Sequence, residues 1–490
     1  MITFKQPLKN LSPWVSPLPQ GLLDLEIQNI CFDSREVNNG DAFFVLPSVN
    51  GNEHVYIETA IDSGSKLLIV DQQLSVSVPS NIHVIQVDDA QEVAGQLIAG
   101  LLYKQALPLK ILGITGTNGK SSISFYLAQL LNELNAPCAV MGTLGYGDWQ
   151  QLKPTGMTTL PLERLHFALS DLAHNYESVA MEVSSHGLEQ NRMAGVHFLG
   201  AVFSNLTRDH LDYHGTMEAY GEAKALLFKR PELTFAVINA DDDFAKNLMA
   251  QSVVKPVTFG LHADADLQFK ILSHHSIGLT VQFKWEDKTE QIELPLFGAF
   301  NAENVAAAFL TCLQMNFEFE AIAKACRVLL PVPGRMQKVK AKDTLPLVIV
   351  DYAHTPDALE QILKSIRMHV QTGQLSLVVG CGGDRDQGKR PLMGKIACQF
   401  ADKVFITSDN PRSESPEKIC QQMVANIEND FVIEVDRQKA IQSAIGQASV
   451  NDVVVIAGKG HEDYQEINGQ RFYFSDVDEA KKVLQLGMQS

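Results

Sequence analysis

This 490-residue chain has no surplus of basic residues: 40 Lys+Arg stand against 57 Asp+Glu, a formal net charge of −17. An acidic surface repels polyanions, which argues against a non-specific nucleic-acid binder or an anionic-membrane binder and leaves only a local basic pocket for a small anion. No run reaches the roughly 20 apolar residues that a bilayer crossing needs, so membrane insertion is not expected. The opening stretch, MITFKQPLKNLSPWVSP, lacks a basic segment followed by an apolar core, so no secretory signal is expected. The seven cysteines (Cys31, Cys138, Cys312, Cys326, Cys381, Cys398, Cys420) are scattered and never form a CxxC pair. That pattern disfavours a disulfide framework and a structural zinc site and makes a reducing cytoplasm the expected compartment. Repeats, low-complexity tracts and coiled-coil signals are also missing, and a monomer is expected.

What remains is globular: 45% hydrophobic and 20% charged residues. At roughly 150 residues per domain the length suggests about three domains. Residues 1–88 hold short apolar runs (42–46, 66–70) broken by Gly, Asn and Pro, a small α/β unit. Residues 88–104 have the pattern of a helix. From residue 109 a strand–loop–helix pattern begins, with further buried-strand candidates at 178–182, 200–204 and 234–239. Apolar runs alternating with helical segments predict a parallel sheet flanked by helices over 89–333. The stretch LPVPG at 330–334 is a rigid break. Beyond it, strand candidates at 347–351, 375–380, 403–407 and 453–457 predict a second doubly wound, Rossmann-like unit over 334–490.

Between the 109–115 strand and the 121–132 helix lies Gly113-Ile-Thr-Gly116-Thr117-Asn118-Gly119-Lys120-Ser121-Ser122. Backbone N–H groups of such a turn, backed by a helix N-terminus, cradle phosphate oxygens. Gly116 and Gly119 permit the torsions, Lys120 neutralises terminal phosphate charge, and Ser121 offers a hydroxyl to Mg2+. The strict G-x-x-x-x-G-K-[ST] pattern misses by one place, since the nearest glycine is Gly113; an ordinary βα turn is the bland alternative.

Two polar clusters follow short buried strands: Glu182-Val-Ser184-Ser185-His186-Gly187, and Asp209-His210-Leu-Asp212-Tyr-His214-Gly215. At the carboxyl edge of a parallel sheet, a carboxylate and an imidazole converging near phosphates could hold a divalent cation. Most of the 14 histidines need no such role, but the density of polar groups around His210 favours one. Lys224, in a helical pattern, reads from spacing alone as a solvated lysine.

Ten blocks in one order now come together: GITGTNGKSS, EVSSHGLEQNR, SNLTRDHLDYHG, YGEAKALLF, FNAENVAAA, PGRM, VDYAHTPDAL, GCGGDRDQGKRPLM, SDNPRSE and AGKGHEDYQ. Together they resemble the Mur ligases of peptidoglycan synthesis, and among them most closely the ligases acting on UDP-N-acetylmuramoyl-L-alanyl-D-glutamate. The resemblance runs from about residue 30 to residue 465 and explains the missing early glycine, because the family's loop is T-G-T-N-G-K-[ST].

The resemblance implies a three-domain α/β architecture: a small N-terminal UDP-substrate domain, a central P-loop-type ATP domain and a C-terminal Rossmann-like amino-acid domain. It also implies ATP-dependent amide formation through an acyl phosphate, releasing ADP. Phosphoryl transfer of this kind needs positioning and charge neutralisation more than protein nucleophiles. By similarity, Glu182 and His210 bind a second Mg2+, supported by Lys224 carbamylated by CO2 to N6-carboxylysine, while Asn304, Arg335 and Asp351 contact ATP. Ser34 in Asp33-Ser34-Arg35 matches a uridine-side contact. Thr158, Thr159, Ser184, Gln190 and Arg192 match contacts to the diphosphate, sugar and peptide stem. The segment Val49-Asn-Gly-Asn-Glu-His54 departs from the family's G-x-x-x-D-G-[HR]-like turn, so uridine contacts are not assigned there.

Asp409-Asn410-Pro411-Arg412 precedes Ser415-Pro416-Glu417, ordinary helix-initiation chemistry, so a plain capping loop is one reading. Within the family, DNPR marks ligases that add meso-diaminopimelate rather than L-lysine. Diaminopimelate carries a second carboxylate that a planar guanidinium grips through paired hydrogen bonds. Arg390, Gly458 and Glu462 match the remaining contacts to that amino acid's charged ends. The alternatives are another Mur ligase or a folylpolyglutamate synthetase-like ligase, or, from a different class, a nucleotide switch or transport module.

Overall fold

The computed structural model describes residues 1–46, 52–71, 76–103, 107–275, 278–339, 345–370, 372–425, 427–428 and 430–484. Residues 49–51 of the 49–54 turn and residue 104, the end of the 88–104 helical segment, lie outside them. The chain divides into two compact units, residues 1–124 with 131–258, and residues 125–130 with 259–490.

The first unit opens with five strands in chain order, Ile2–Pro7, Glu26–Cys31, Ala42–Phe44, Leu67–Val70 and His83–Gln86. The first pair is antiparallel and the rest parallel. The helix Ala90–Tyr103 buries Ala94, Leu97 and Ile98 against this sheet's core, spacings of three and one that place them on a single face.

The same unit carries a second sheet in the order Phe235–Asn239, Phe198–Phe203, Lys110–Thr115, Ser178–Glu182, Cys138–Gly142. All of these pairs are parallel. Every residue of Ser178–Glu182, Cys138–Gly142 and Phe235–Asn239 is buried, as strands covered on both faces must be. The glycine-bearing loop therefore leaves a central strand, flanked by Phe198–Phe203 and Ser178–Glu182. Two short antiparallel strands, Gly145–Asp148 and Gln151–Lys153, extend one edge.

In the second unit an antiparallel meander, Leu267–His275, Gly278–Trp285 and Lys288–Leu294, backs the helix Ala299–Gln314, with Phe283 stacked on Phe309, ring centroids 5.2 Å apart. Sequence reasoning expected only parallel strands here. The alternation Leu279, Val281, Phe283 inward is the period-two pattern of a one-sided sheet, and it passed unread. A six-stranded sheet follows in the order Gln337–Val339, Leu347–Asp351, Val453–Ala457, Leu375–Cys381, Lys403–Ser408, Val432–Ile433, parallel after its first pair. Its two faces have separate cores: Leu377 and Val379 point into one, Val378 and Val454 into the other. Helices cover both, as a doubly wound sheet requires. All seven cysteines are free, in agreement with the sequence. No helix among the described residues is long and apolar enough to cross a membrane.

Candidate active site

The strand Lys110–Thr115 ends one residue before Gly116, and the helix Lys120–Glu133 begins one residue after Gly119. Gly116 (φ +144°) and Gly119 (φ +85°) take backbone conformations that a side chain would resist. At Gly116 an added Cβ would also collide with Ser204 Oγ. The Lys120 ammonium folds over the turn and donates to the carbonyls of Gly116 (2.9 Å) and Thr117 (2.8 Å). A second segment braces the loop: the Thr117 N–H donates to Asn205 O (2.8 Å), the Asn118 N–H to Asn205 Oδ1 (2.9 Å), and Thr117 Oγ1 to Thr207 O (3.1 Å). Ser121 and Ser122 are buried in the first turn of the helix.

Lys224 is no solvated lysine. It lies on the helix Met217–Ala225, capped by Thr216, and is 1% exposed. Its Nζ donates to Gly116 O at 2.9 Å and sits 4.2 Å from the centroid of the Tyr220 ring. Burial, and then the nearby Lys120 charge, hold its pKa well below the ordinary lysine value. Sequence spacing could not show this, because it is the fold that brings the helix beneath the phosphate loop. His210 meets Tyr220 edge-on, ring centroids 6.1 Å apart, and takes a left-handed conformation (φ +52°) at the start of a short helix. His186 and His214 pack beside it. Burial, then His210 and His214, push His186 down to about 4.

Glu182, at the end of its strand, is 1% exposed and pairs with no basic side chain among the described residues. Its carboxylate accepts the Thr143 N–H (3.0 Å) and hydroxyl (3.2 Å), and Thr143 Oγ1 in turn meets Thr158 Oγ1 at 2.9 Å. A buried carboxylate without a counter-cation suits a divalent ion, so Glu182 fits a metal-binding role. No ready group of three His, Cys, Asp or Glu ligands occurs among the described residues. A carbamate on Lys224 would add an acidic ligand that the unmodified chain lacks.

The residues matched to the nucleotide-sugar substrate fall mostly into one hydrogen-bonded chain. Thr159 Oγ1 accepts from the Ser184 N–H and faces its hydroxyl, both at 3.0 Å; Ser184 caps the helix Ser185–Glu189. Arg192 donates to Thr159 O (2.9 Å) and, through Nε (2.9 Å) and Nη2 (2.6 Å), to Gln190 Oε1. Ser34 stands apart, buried at the start of a 3-10 turn, with Asp33 bound to Arg35 beside it.

In the second unit Asn304 is buried and donates to Asn301 Oδ1, which also accepts the Tyr126 hydroxyl at 3.0 Å. Asp351 accepts the N–H groups of Met336 (2.6 Å) and Ala353 (2.7 Å); burial raises its pKa, against the pull of Arg335. The Arg335 guanidinium lies over the Tyr352 ring at 4.7 Å.

Asp409-Asn410-Pro411-Arg412 leaves the strand Lys403–Ser408, and residues 458–462 leave Val453–Ala457. The two loops meet around Lys459, which is fully buried. Its Nζ lies 3.5 Å from Asp409, 3.1 Å from Asn410 Oδ1 and 3.2 Å from Glu462. Asn410 Nδ2 donates to the same Glu462 oxygen at 2.9 Å. Gly458 (φ +115°) faces Asp409 so closely that a Cβ would press on its carboxylate. Arg412, with φ +50°, donates to Gly383 O (2.8 Å) and pairs with Glu466 (3.3 Å) while staying partly exposed. Ser415 does cap the next helix, its side chain accepting the Lys418 N–H, as the capping reading of this segment expects.

Arg390 is placed differently from its neighbours. It is 0% exposed, its guanidinium forked onto Glu414 (2.9 and 2.7 Å) and donating to Gly382 O (3.1 Å). That pairing holds the Glu414 carboxyl down at about 2. Arg385, which sequence reasoning passed over, is exposed in the same loop. A Cβ on Gly382 would lie 3.0 Å from Arg412 Nη1 and 4.0 Å from Arg385 Cγ, so the two arginines flank one glycine. Lys459 was missed too. Both stand inside blocks quoted above, but only contacts distinguish them from their neighbours.

Residues 114–312 match the Mur ligase middle domain, and residues 334–460 match the Mur ligase glutamate ligase domain. The UDP-N-acetylmuramoyl-L-alanyl-D-glutamate--2,6-diaminopimelate ligase of Xylella fastidiosa (strain 9a5c) is 41% identical over 487 residues, 98% of this chain and 97% of the relative. The chain belongs to the Mur ligase family. The ligase of that name from Coxiella burnetii is 40% identical over 94% of this chain and 96% of its own length. A solved ligase of the same name superposes on this Mur ligase with a TM-score of 0.74 at 39% identity, covering 99% of each chain. Escherichia coli FolC, solved with DHPP and ADP, shares the fold at 18% identity (TM-score 0.61, 80% of this chain and 92% of its own).

Proposed function

We propose that this Mur ligase joins meso-2,6-diaminopimelate to UDP-N-acetylmuramoyl-L-alanyl-D-glutamate in the cytoplasm, consuming ATP and releasing ADP and phosphate. The observation that carries the choice of amino acid is the loop around Arg412, where a partly exposed guanidinium stands beside Arg385 and an array of buried Asp409, Asn410 and Lys459 with half-buried Glu462. A diamino diacid presents two ammonium groups and two carboxylates, and this loop offers both signs of charge. Arg412 takes the carboxylate that lysine lacks, Glu462 and Asp409 face ammonium, and Gly458 keeps the approach open. Arg390 acts from behind, holding Glu414 and the 382–384 backbone in place.

The residue assignments for the other substrates follow the same logic. Residues 116–122 cradle the triphosphate, with Lys120 leaving its loop carbonyls for phosphate oxygens; Asn304, Arg335 and Asp351 serve the rest of ATP. Thr158, Thr159, Ser184, Gln190 and Arg192, with Ser34, hold the UDP-peptide. Mg2+, held by Ser121 at one place and by Glu182, His210 and carbamylated Lys224 at another, would neutralise charge developing on the phosphates. Lys224 suits that modification because its amine is driven towards the neutral form, the one that attacks CO2. Once the D-glutamyl carboxylate has displaced ADP from the γ-phosphate, the amine attacks the acyl phosphate and expels phosphate. Three domains, 1–88, 89–333 and 334–490, and a monomeric state complete the proposal.

Phosphate release with each substrate omitted in turn tests the reading. Sustained turnover is expected only with ATP, UDP-peptide and diaminopimelate together, and far less with L-lysine. ATP hydrolysis without the peptide or the amine would overturn it in favour of a nucleotide switch.

A further inference from the structure

Behind the amino-acid loops lies a second buried ion pair, Arg437 with Asp476, both 0% exposed in their side chains. Arg437 opens the helix Arg437–Gly446 and Asp476 opens Asp476–Val483, so neither lies in any block quoted for the family. The guanidinium donates to both Asp476 oxygens (Nε 2.7 Å, Nη2 2.7 Å), to Ala457 O (Nη2, 2.9 Å) and to Ser408 O (Nη1, 3.3 Å). Those two carbonyls are the last of their strands. Ser408 immediately precedes Asp409-Asn410-Pro411-Arg412, and Ala457 immediately precedes Gly458 and Lys459. The strands are not neighbours: Leu375–Cys381 lies between them in the sheet. One planar fork thus bridges the exits of two strands that share no ladder hydrogen bonds, a geometry that a lysine's single ammonium would not reproduce.

We propose that Arg437, oriented by Asp476, is a positioning residue that sets the spacing between the 409–412 and 458–462 loops, and thereby selectivity for the incoming amino acid. The proposal rests on the reading that these loops bind that amino acid. Asp409 and Glu462, two carboxylates of these loops, also act electrostatically on Arg437, so the loops and their brace are linked by charge as well as by backbone. None of the guanidinium's hydrogen bonds goes to residues 116–122, so the effect is expected in one substrate only.

Removing one partner would strand a buried charge and threaten the fold, whereas replacing both by apolar residues of similar volume is often tolerated. The test therefore uses the full-length double variant Arg437→Met/Asp476→Leu and, separately, Arg437→Lys. In both, KM for diaminopimelate is expected to rise about tenfold or more and discrimination against L-lysine to fall. KM for ATP and UDP-peptide should stay within about twofold, and kcat at saturation within about threefold. Without any substrate, amide hydrogen exchange is expected to accelerate at 409–412 and 458–462 and to stay unchanged at 116–119. A folded double variant with wild-type KM and wild-type exchange would overturn the proposal, as would a parallel loss in all three KM values and kcat. Should the wild type itself fail to use diaminopimelate, the proposed function falls, and the exchange experiment still decides whether Arg437 braces the loops.

Discussion

Arg412 and Lys224 make opposite demands on their surroundings. In the proposed amino-acid site Arg412 keeps its charge and stays reachable, and its contacts with Gly383 O and Glu466 hold the guanidinium without burying it. Hydrogen bonds between charged groups contribute about 1.5–3 kcal/mol. Arg412→Ala is therefore expected to raise KM for diaminopimelate by about one to two decades, with ATP binding unchanged, in steady-state assays of each substrate. Lys224 is instead driven towards its neutral form by burial and then by the nearby Lys120 charge. The consequence for stability has a definite sign. An unfolded lysine holds its proton to about pH 10.4, so between the depressed folded pKa and that value the unfolded state binds more protons, and stability rises with pH. In bicarbonate-free buffer, the wild type should gain on Lys224→Met as pH rises from 7 towards 10, by up to about 1.4 kcal/mol per unit, in denaturant titrations. A pH-independent difference would mean that the amine is not held neutral.

The element that matters most is the strand–loop–helix unit from Lys110 to Glu133. Its composition was legible residue by residue: an apolar strand, two glycines where the backbone must turn, then Lys-Ser at a helix start. What the sequence could not convey is why Gly116 admits no substitute. Ser204, from the end of another strand, occupies the space a Cβ would need. Gly116→Ala combines that collision with an unfavourable φ, so a loss of about 1–3 kcal/mol is expected in thermal or chemical unfolding, together with weakened ATP binding by titration calorimetry. The 403–415 segment gives a second case. Strand end, DNPR and helix cap were each readable, and the structure sets the Ser415 cap three residues after Arg412, whose guanidinium turns to Gly383 O. Hydrophobic period distinguished most buried strands. It failed for the 267–294 meander, whose alternating pattern is weaker than the continuous runs of the parallel sheets.

At the scale of the whole molecule, a net charge of −17 opposes self-association. Sedimentation equilibrium at micromolar concentration and moderate salt is expected to return a mass near 54.0 kDa; twice that value would refute the monomer. The blocks along the chain were enough to determine the family, most of the buried parallel strands and the glycine-bearing loop, because each is carried by residues close together in sequence. The tertiary structure alone decided that Lys224 is buried beneath Gly116, that Arg390 is spent on Glu414 while Arg385 flanks Arg412, that Lys459 is buried where the 409–412 and 458–462 loops meet, and that Arg437 bridges the strand ends from which they leave. The reason is physical: whether an ionisable side chain is a solvated charge, a neutral nucleophile or a buried brace depends on what desolvates and pairs it, and those partners come from elements tens to hundreds of residues away.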